Sequence, residues 1–187
     1  MHILIIGATG TGKTTLAVML ARRAALTRRQ VLVYDVTGPY GWPGKHFDDI
    51  DEYMRAVKTH KNCLLVVDES TAGLDKFDRS TYFLTTTARH LGHKTIIVGH
   101  RLRDIAPAIR SNCTTIFAFG GTKNDYKILQ DENDCTIDTS KLAVFEFVRL
   151  QRGIAPEKMR LDIARRVILK CQHVDKPIGQ SEHKGNS

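Results

Sequence analysis

The chain has 187 residues, 42% of them hydrophobic and 26% charged, and a formal net charge of +8. That length favours one domain able to bury a sizeable core, and the composition is that of a globular protein, not a disordered or fibrous one. No run of 18 apolar residues occurs, so no membrane-spanning helix is expected.

His2-Ile3-Leu4-Ile5-Ile6 is an apolar, β-branched run that reads as a buried strand. It starts directly after Met1, which leaves no signal-peptide pattern. Next comes Gly7-Ala8-Thr9-Gly10-Thr11-Gly12-Lys13-Thr14, which fits G-x-x-x-x-G-K-[ST], the phosphate-binding loop. Thr15 to Ala25, with Leu16, Leu20 and Ala24 at helical spacing, reads as the helix that should follow such a loop. The competing reading is a chance glycine-rich turn, but all four fixed positions and both flanks agree with the motif. In such a loop, amides from Gly7 to Thr15 converge on phosphate at a helix start. Lys13 then reaches the β- and γ-phosphates of ATP, and the Thr14 hydroxyl ligates Mg²⁺.

Val31-Leu32-Val33-Tyr34 reads as a second strand closed by Asp35. Gly38 to Gly44 is loop punctuation, in which Trp42 either anchors the loop or stacks on a base, and Asp48 to His60 is helix-compatible. Cys63 to Val67 is a third buried strand ending in Asp68-Glu69, a Walker B pattern. Asp68 is the second expected Mg²⁺ residue, and Glu69 is expected to orient and polarise the attacking water.

Asp75 to Leu91 reads as a helix, and Thr95 to Gly99 as a strand ending at His100. Arg101 to Asn112 reads as a loop with a short helix, and Thr114 to Phe119 as a strand closed by Gly120-Gly121. A short helix is expected over Asp125 to Asp131, then an edge strand over Ala143 to Val148 with one wet face. Pro156 is expected to open a helix running to about Lys170. Residues 1–172 are read as one domain and 173–187 as a polar, disordered tail.

Apolar strands separated by helices imply a mostly parallel sheet covered on both faces. Ligands then bind beyond the carboxyl ends of the strands. The glycine loop, Asp35, Asp68-Glu69 and His100 all follow strands, so all fall on that edge. Cys63, Cys113, Cys135 and Cys171 have no C-x-x-C spacing and read as reduced thiols of a cytosolic protein. His90, His93 and His100 lack the cysteine pair of a usual zinc pattern. Charge is uneven. Residues 1–34 hold five Lys or Arg and no acid, and residues 151–187 hold eight against four acids. A basic surface suits a polyanion such as nucleic acid, or simply keeps the protein soluble.

Three segments together resemble the FtsK–HerA superfamily of P-loop DNA-pumping ATPases: Gly7 to Thr14, Val66-Val67-Asp68-Glu69-Ser70, and Ala88 to Arg101, extended by Ile105 to Asn112. More narrowly, the chain looks like the small genome-packaging ATPases of tailless, internal-membrane-containing icosahedral viruses. The likeness covers roughly residues 1–120 and implies a three-layer P-loop NTPase of the RecA/ASCE kind, here with an added C-terminal strand and helix. It also implies ATP hydrolysis coupled to translocation of double-stranded DNA, with single-stranded DNA as the other cargo. The implied partners are further copies in a homo-oligomeric ring and a viral capsid or portal vertex, and the implied location is host cytoplasm or virion. A neighbouring subunit is implied to supply an arginine finger. Arg89 matches best, against a reading as a solvent-facing helix arginine, with Arg101, Arg103 and Arg110 as competitors. The family places Gln where this chain has His100, so His100 is either a γ-phosphate sensor or a structural histidine. Gly120 to Asn124 is the candidate DNA-contacting loop. The alternatives are an assembly or secretion ATPase of filamentous-phage type, a P-loop small-molecule kinase, and a regulatory nucleotide-binding module without turnover. The Asp68-Glu69 pair and the 75–112 segment argue against the kinase, and Glu69 against the module.

Overall fold

The computed structural model describes residues 2–38, 41–68, 79–133 and 138–171. Nine strands form one sheet in the order β3-β2-β4-β5-β1-β6-β7-β8-β9. Its parallel part comprises β1 (His2–Ile6), β2 (Val31–Tyr34), β3 (Lys45–Phe47), β4 (Leu64–Val67), β5 (Lys94–Gly99) and β6 (Thr115–Phe119). β7 (Glu146–Gln151), β8 (Ile154–Asp162) and β9 (Val167–Lys170) extend it antiparallel. β1, β2, β4 and β6 are buried at every position, as strands covered on both faces must be.

Alternate side chains divide between two layers, because successive residues of a strand face opposite ways. Ile3, Ile5, Val33, Val66 and Val98 pack against Leu16, Ala17 and Ala21 of α1 (Lys13–Leu26). Leu32, Tyr34, Leu65 and Val67 face α2 (Ile50–Thr59) and α3 (Arg79–Thr85). Leu4, Ile6, Ile97 and Ile116 face α4 (Pro107–Asn112) and α5 (Lys123–Asn133). Among the described residues one α-helix lies on one side of the sheet and four on the other, the three-layer α/β architecture expected.

Local chemistry fixes the helix ends. The Asp49 carboxylate accepts from the Glu52 N–H at 2.8 Å and starts α2. Thr122 and Asp125 cap α5 reciprocally: Asp125 Oδ2 accepts from the Thr122 N–H at 3.2 Å, and Thr122 Oγ1 from the Asp125 N–H at 3.4 Å.

Three expectations are corrected. The segment from Pro156 to Lys170 is not a helix but the hairpin β8–β9. Its apolar residues Met159, Leu161 and Ile168 join the α1-side core, and period-2 spacing of the first two wins over the helical start signal of Pro156. Pro156 lies where the β7–β8 register shifts between Arg149 and Gln151, a place where a missing N–H is tolerated. Next, β7 is no edge strand, being paired on both sides by β6 and β8. Its polar positions are matched across the ladder, Glu146 by Lys158 at 2.9 Å and Arg149 by Glu157, so alternation there reflects ion pairs as well as water. β3 is an addition, lying between the Gly38 to Gly44 loop and the helix expected from Asp48, where no element was expected. The expected helix from Asp75 to Leu91 is split into α3 and a 3₁₀ turn over Thr87–Leu91, its first four residues lying outside the described ones. The tail beyond residue 171 lies outside them as well.

Candidate active site

Gly7 to Gly12 runs from the end of β1 to the first turn of α1. Two glycines are dictated by close approach. A Cβ on Gly7 would stand 2.6 Å from Phe119 Cβ, and one on Gly12 2.6 Å from the Phe145 ring, and both backbones have positive φ, 151° and 108°. The loop is held from two sides. The Ala8 N–H donates to the Gly120 carbonyl at 2.7 Å, and the Phe145 N–H donates to the Thr11 carbonyl at 3.0 Å. Within the loop, Thr11 Oγ1 donates to the Ala8 carbonyl at 2.8 Å.

Lys13 is buried, and its Nζ donates to the Ala8 carbonyl at 2.8 Å, which brings the ammonium back over the loop. His100, at the end of β5, lies with Nδ1 3.5 Å from Lys13 Nζ and 3.3 Å from Thr9 Oγ1. Asp68 follows β4, is buried, and has its N–H donated to the Tyr34 carbonyl at 2.9 Å. Lys13, Thr14, Thr15, Asp68 and His100 thus line one open recess of about 350 Å³, with Phe145 and Thr37 on its rim. The Thr14 hydroxyl and Asp68 carboxylate are hard oxygen donors suited to Mg²⁺. A recess of about 760 Å³ opens at the opposite end of the strands, between α4, α5 and the β7–β8 turn, far from this cluster.

Glu69, the expected water-orienting residue, lies outside the described residues. Arg89 is not brought to the recess. It is exposed in the 3₁₀ turn that feeds the amino end of β5, near enough to His2 for its charge to act there. Arg110 is removed from the competition. It is buried, with Nε donating to both Glu132 carboxylate oxygens at 3.0 Å and Nη1 to the Leu102 carbonyl at 3.2 Å. Trp42 is an anchor, its indole N–H donating to Asp35 Oδ2 at 2.8 Å and its ring on the core. Asp35 also accepts from the Thr37 N–H and hydroxyl, so it shapes the loop beside the recess. His93 is structural. Nδ1 accepts from the Cys63 N–H at 3.0 Å, Nε2 donates to the Val57 carbonyl at 3.1 Å, and burial holds the imidazole below its ordinary range. Cys63, Cys113 and Cys171 are free thiols, and no metal-binding cluster occurs among the described residues. Gly120 and Thr122 are engaged by the phosphate loop and the α5 cap. Phe145 had no sequence signal: its place depends on β7 returning beside β6, and its φ of 68° is unusual for a bulky residue.

The sequence pattern of the AAA family, the ATPase family associated with various cellular activities, matches residues 3–120. The chain belongs to this ATPase family. It is therefore an ATP-hydrolysing enzyme with a P-loop NTPase fold. No curated protein matches it in sequence. Among solved structures it is similar to the genome-packaging NTPase B204 of Sulfolobus turreted icosahedral virus 2 in complex with ATP-γ-S, at 14% identity and a TM-score of 0.63, over 90% of this chain and 95% of that one. It is also similar to the cytoplasmic domain of the Thermomonospora curvata type VII secretion ATPase EccC, at 16% identity and a TM-score of 0.64, over 85% of this chain and 23% of that one. A third likeness is to the pCW3 conjugation coupling protein TcpA with ATPγS, at 16% identity and a TM-score of 0.61, over 84% and 58%. These likenesses share the fold and agree with the resemblance drawn from the motifs.

Proposed function

We propose that this ATPase is a translocase that packages double-stranded DNA into a viral particle. The observation that carries the reading is the end-to-end match, 90% of this chain on 95% of a genome-packaging NTPase, where the other two neighbours are much longer proteins. The net charge of +8 supports a polyanionic cargo.

The residues at the recess support in-line attack of water on the γ-phosphate. Loop amides and the Lys13 ammonium bind the phosphates. Thr14 and Asp68 would hold Mg²⁺, which would supply charge neutralisation for the phosphates. Glu69, next to Asp68 in sequence, orients the attacking water, and His100 stands beside Lys13 where a terminal phosphate would lie. Arg89, remote from its own recess, serves as the finger for a neighbouring copy in a ring.

The test is the ATP hydrolysis rate with and without double-stranded DNA. Stimulation several-fold, lost at high salt, is expected. A rate indifferent to DNA of either strandedness overturns the reading and favours an assembly or secretion motor, to which the EccC likeness belongs.

A further inference from the structure

Asp35 follows β2 just as Asp68 follows the neighbouring β4. It is fully buried, and its polar groups are engaged on every side. Its N–H donates to the Phe47 carbonyl at 3.1 Å, and its carbonyl accepts from His46 Nε2 at 2.8 Å. Oδ2 accepts from the Trp42 indole N–H at 2.8 Å. Oδ1 accepts from both the N–H and the hydroxyl of Thr37, at 2.9 Å and 2.7 Å. A carboxylate held so firmly also fixes the hydroxyl. The Thr37 proton points at Asp35, and the oxygen lone pairs are left for the recess that Thr37 lines.

We infer that the Thr37 hydroxyl accepts a hydrogen bond from the water that attacks the terminal phosphate, with Asp35 as the positioning residue behind it. The proposal rests on hydrolytic attack at this recess and holds whatever cargo the enzyme moves. A water turns a lone pair to phosphorus only when its protons are directed elsewhere, so attack needs acceptors on the side away from the leaving group. Other groups of the recess serve other ends. The Lys13 ammonium donates, Thr14 and Asp68 are suited to Mg²⁺, and Thr9 Oγ1 lies against His100 at 3.3 Å. Thr37 stands across from the glycine loop. β5 and β4 intervene between β1 and β2, which sets those two strands about 14 Å apart in the sheet. That leaves room for phosphate on the loop and water beyond it. An uncharged acceptor also adds no repulsion against the triphosphate.

Thr37→Val tests this in the full chain. It removes the hydroxyl but keeps the side-chain shape and the backbone N–H bond to Asp35 that sets the turn. Trp42, the single tryptophan, bonds the same carboxylate, so its emission reports whether the turn has moved. Steady-state hydrolysis should show kcat reduced about tenfold or more. KM for ATP, affinity for a non-hydrolysable analogue, Trp42 emission and melting temperature should all stay at wild-type values. Thr37→Ser, which keeps the acceptor, should recover most of kcat. A wild-type kcat in Thr37→Val overturns the proposal. So does a loss of kcat accompanied by weaker analogue binding or shifted Trp42 emission, the mark of a turn residue and nothing more. Wild-type protein that binds ATP without hydrolysing it would strike the hydrolytic reading beneath the proposal, and the proposal with it.

Discussion

Gly12 shows how little room the phosphate loop has. With its φ of 108° and the Phe145 ring against it, Gly12→Ala must both strain the backbone and displace the ring. We expect a loss of about 1–3 kcal/mol in denaturant titration, together with loss of nucleotide binding. Glu69→Gln should retain ATP binding and lose hydrolysis, and an unchanged turnover rate would remove Glu69 from the water-orienting role. His2 is a different case. Neither ring nitrogen has a hydrogen-bond partner among the described residues, and burial, then the amino terminus, then Arg89 push it from 6.5 down to about 4. The unfolded chain takes up a proton below about pH 6.5 that the fold refuses, so stability is full above that pH and falls between 6.5 and 4. Burial lowers His93 in the same direction. Thermal melts of a His2→Leu variant should show a smaller drop from pH 7 to pH 4.5 than wild type. At this scale the phosphate loop was legible because its signal is contiguous. Phe145 was not, because it meets Thr11 only after a long detour of chain.

Among elements, α4 and α5 are joined by one buried guanidinium. Arg110 satisfies the Leu102 and Ile105 carbonyls and pairs with Glu132. Arg110→Ala leaves two carbonyls and a carboxylate without that donor, at a cost of roughly 3 kcal/mol. A fall in melting temperature with nucleotide affinity intact is the expected outcome, since the recess lies at the other end of the strands. Five of the six parallel strands could be read from the sequence because each is largely apolar and bounded by turn residues, whereas β3, Lys-His-Phe with two exposed positions, carries no such signal. The C-terminal hairpin could not. Pro156 and a run of charged residues imitate a helix start, and the decisive signals were the weaker alternation of Met159 with Leu161 and the Arg152-Gly153 turn, Gly153 at φ 76°.

For the whole molecule, the separation of Arg89 from the phosphate loop is the telling feature. A parallel strand of six residues such as β5 is about 20 Å long, and the two groups lie at its opposite ends. If Arg89 completes a site, that site belongs to another copy. Mixing Arg89→Ala with Lys13→Ala subunits should restore part of the hydrolysis rate, and none in a verified mixed assembly would count against Arg89. No helix among the described residues is long and apolar enough to cross a membrane. Joining the foot of one sheet to the head of the next makes a polar, head-to-tail contact, which two copies related by a dyad cannot form. Each copy would then be answerable to one neighbour while prompting the other, so a firing order with a fixed sense of rotation would follow from where a single side chain sits.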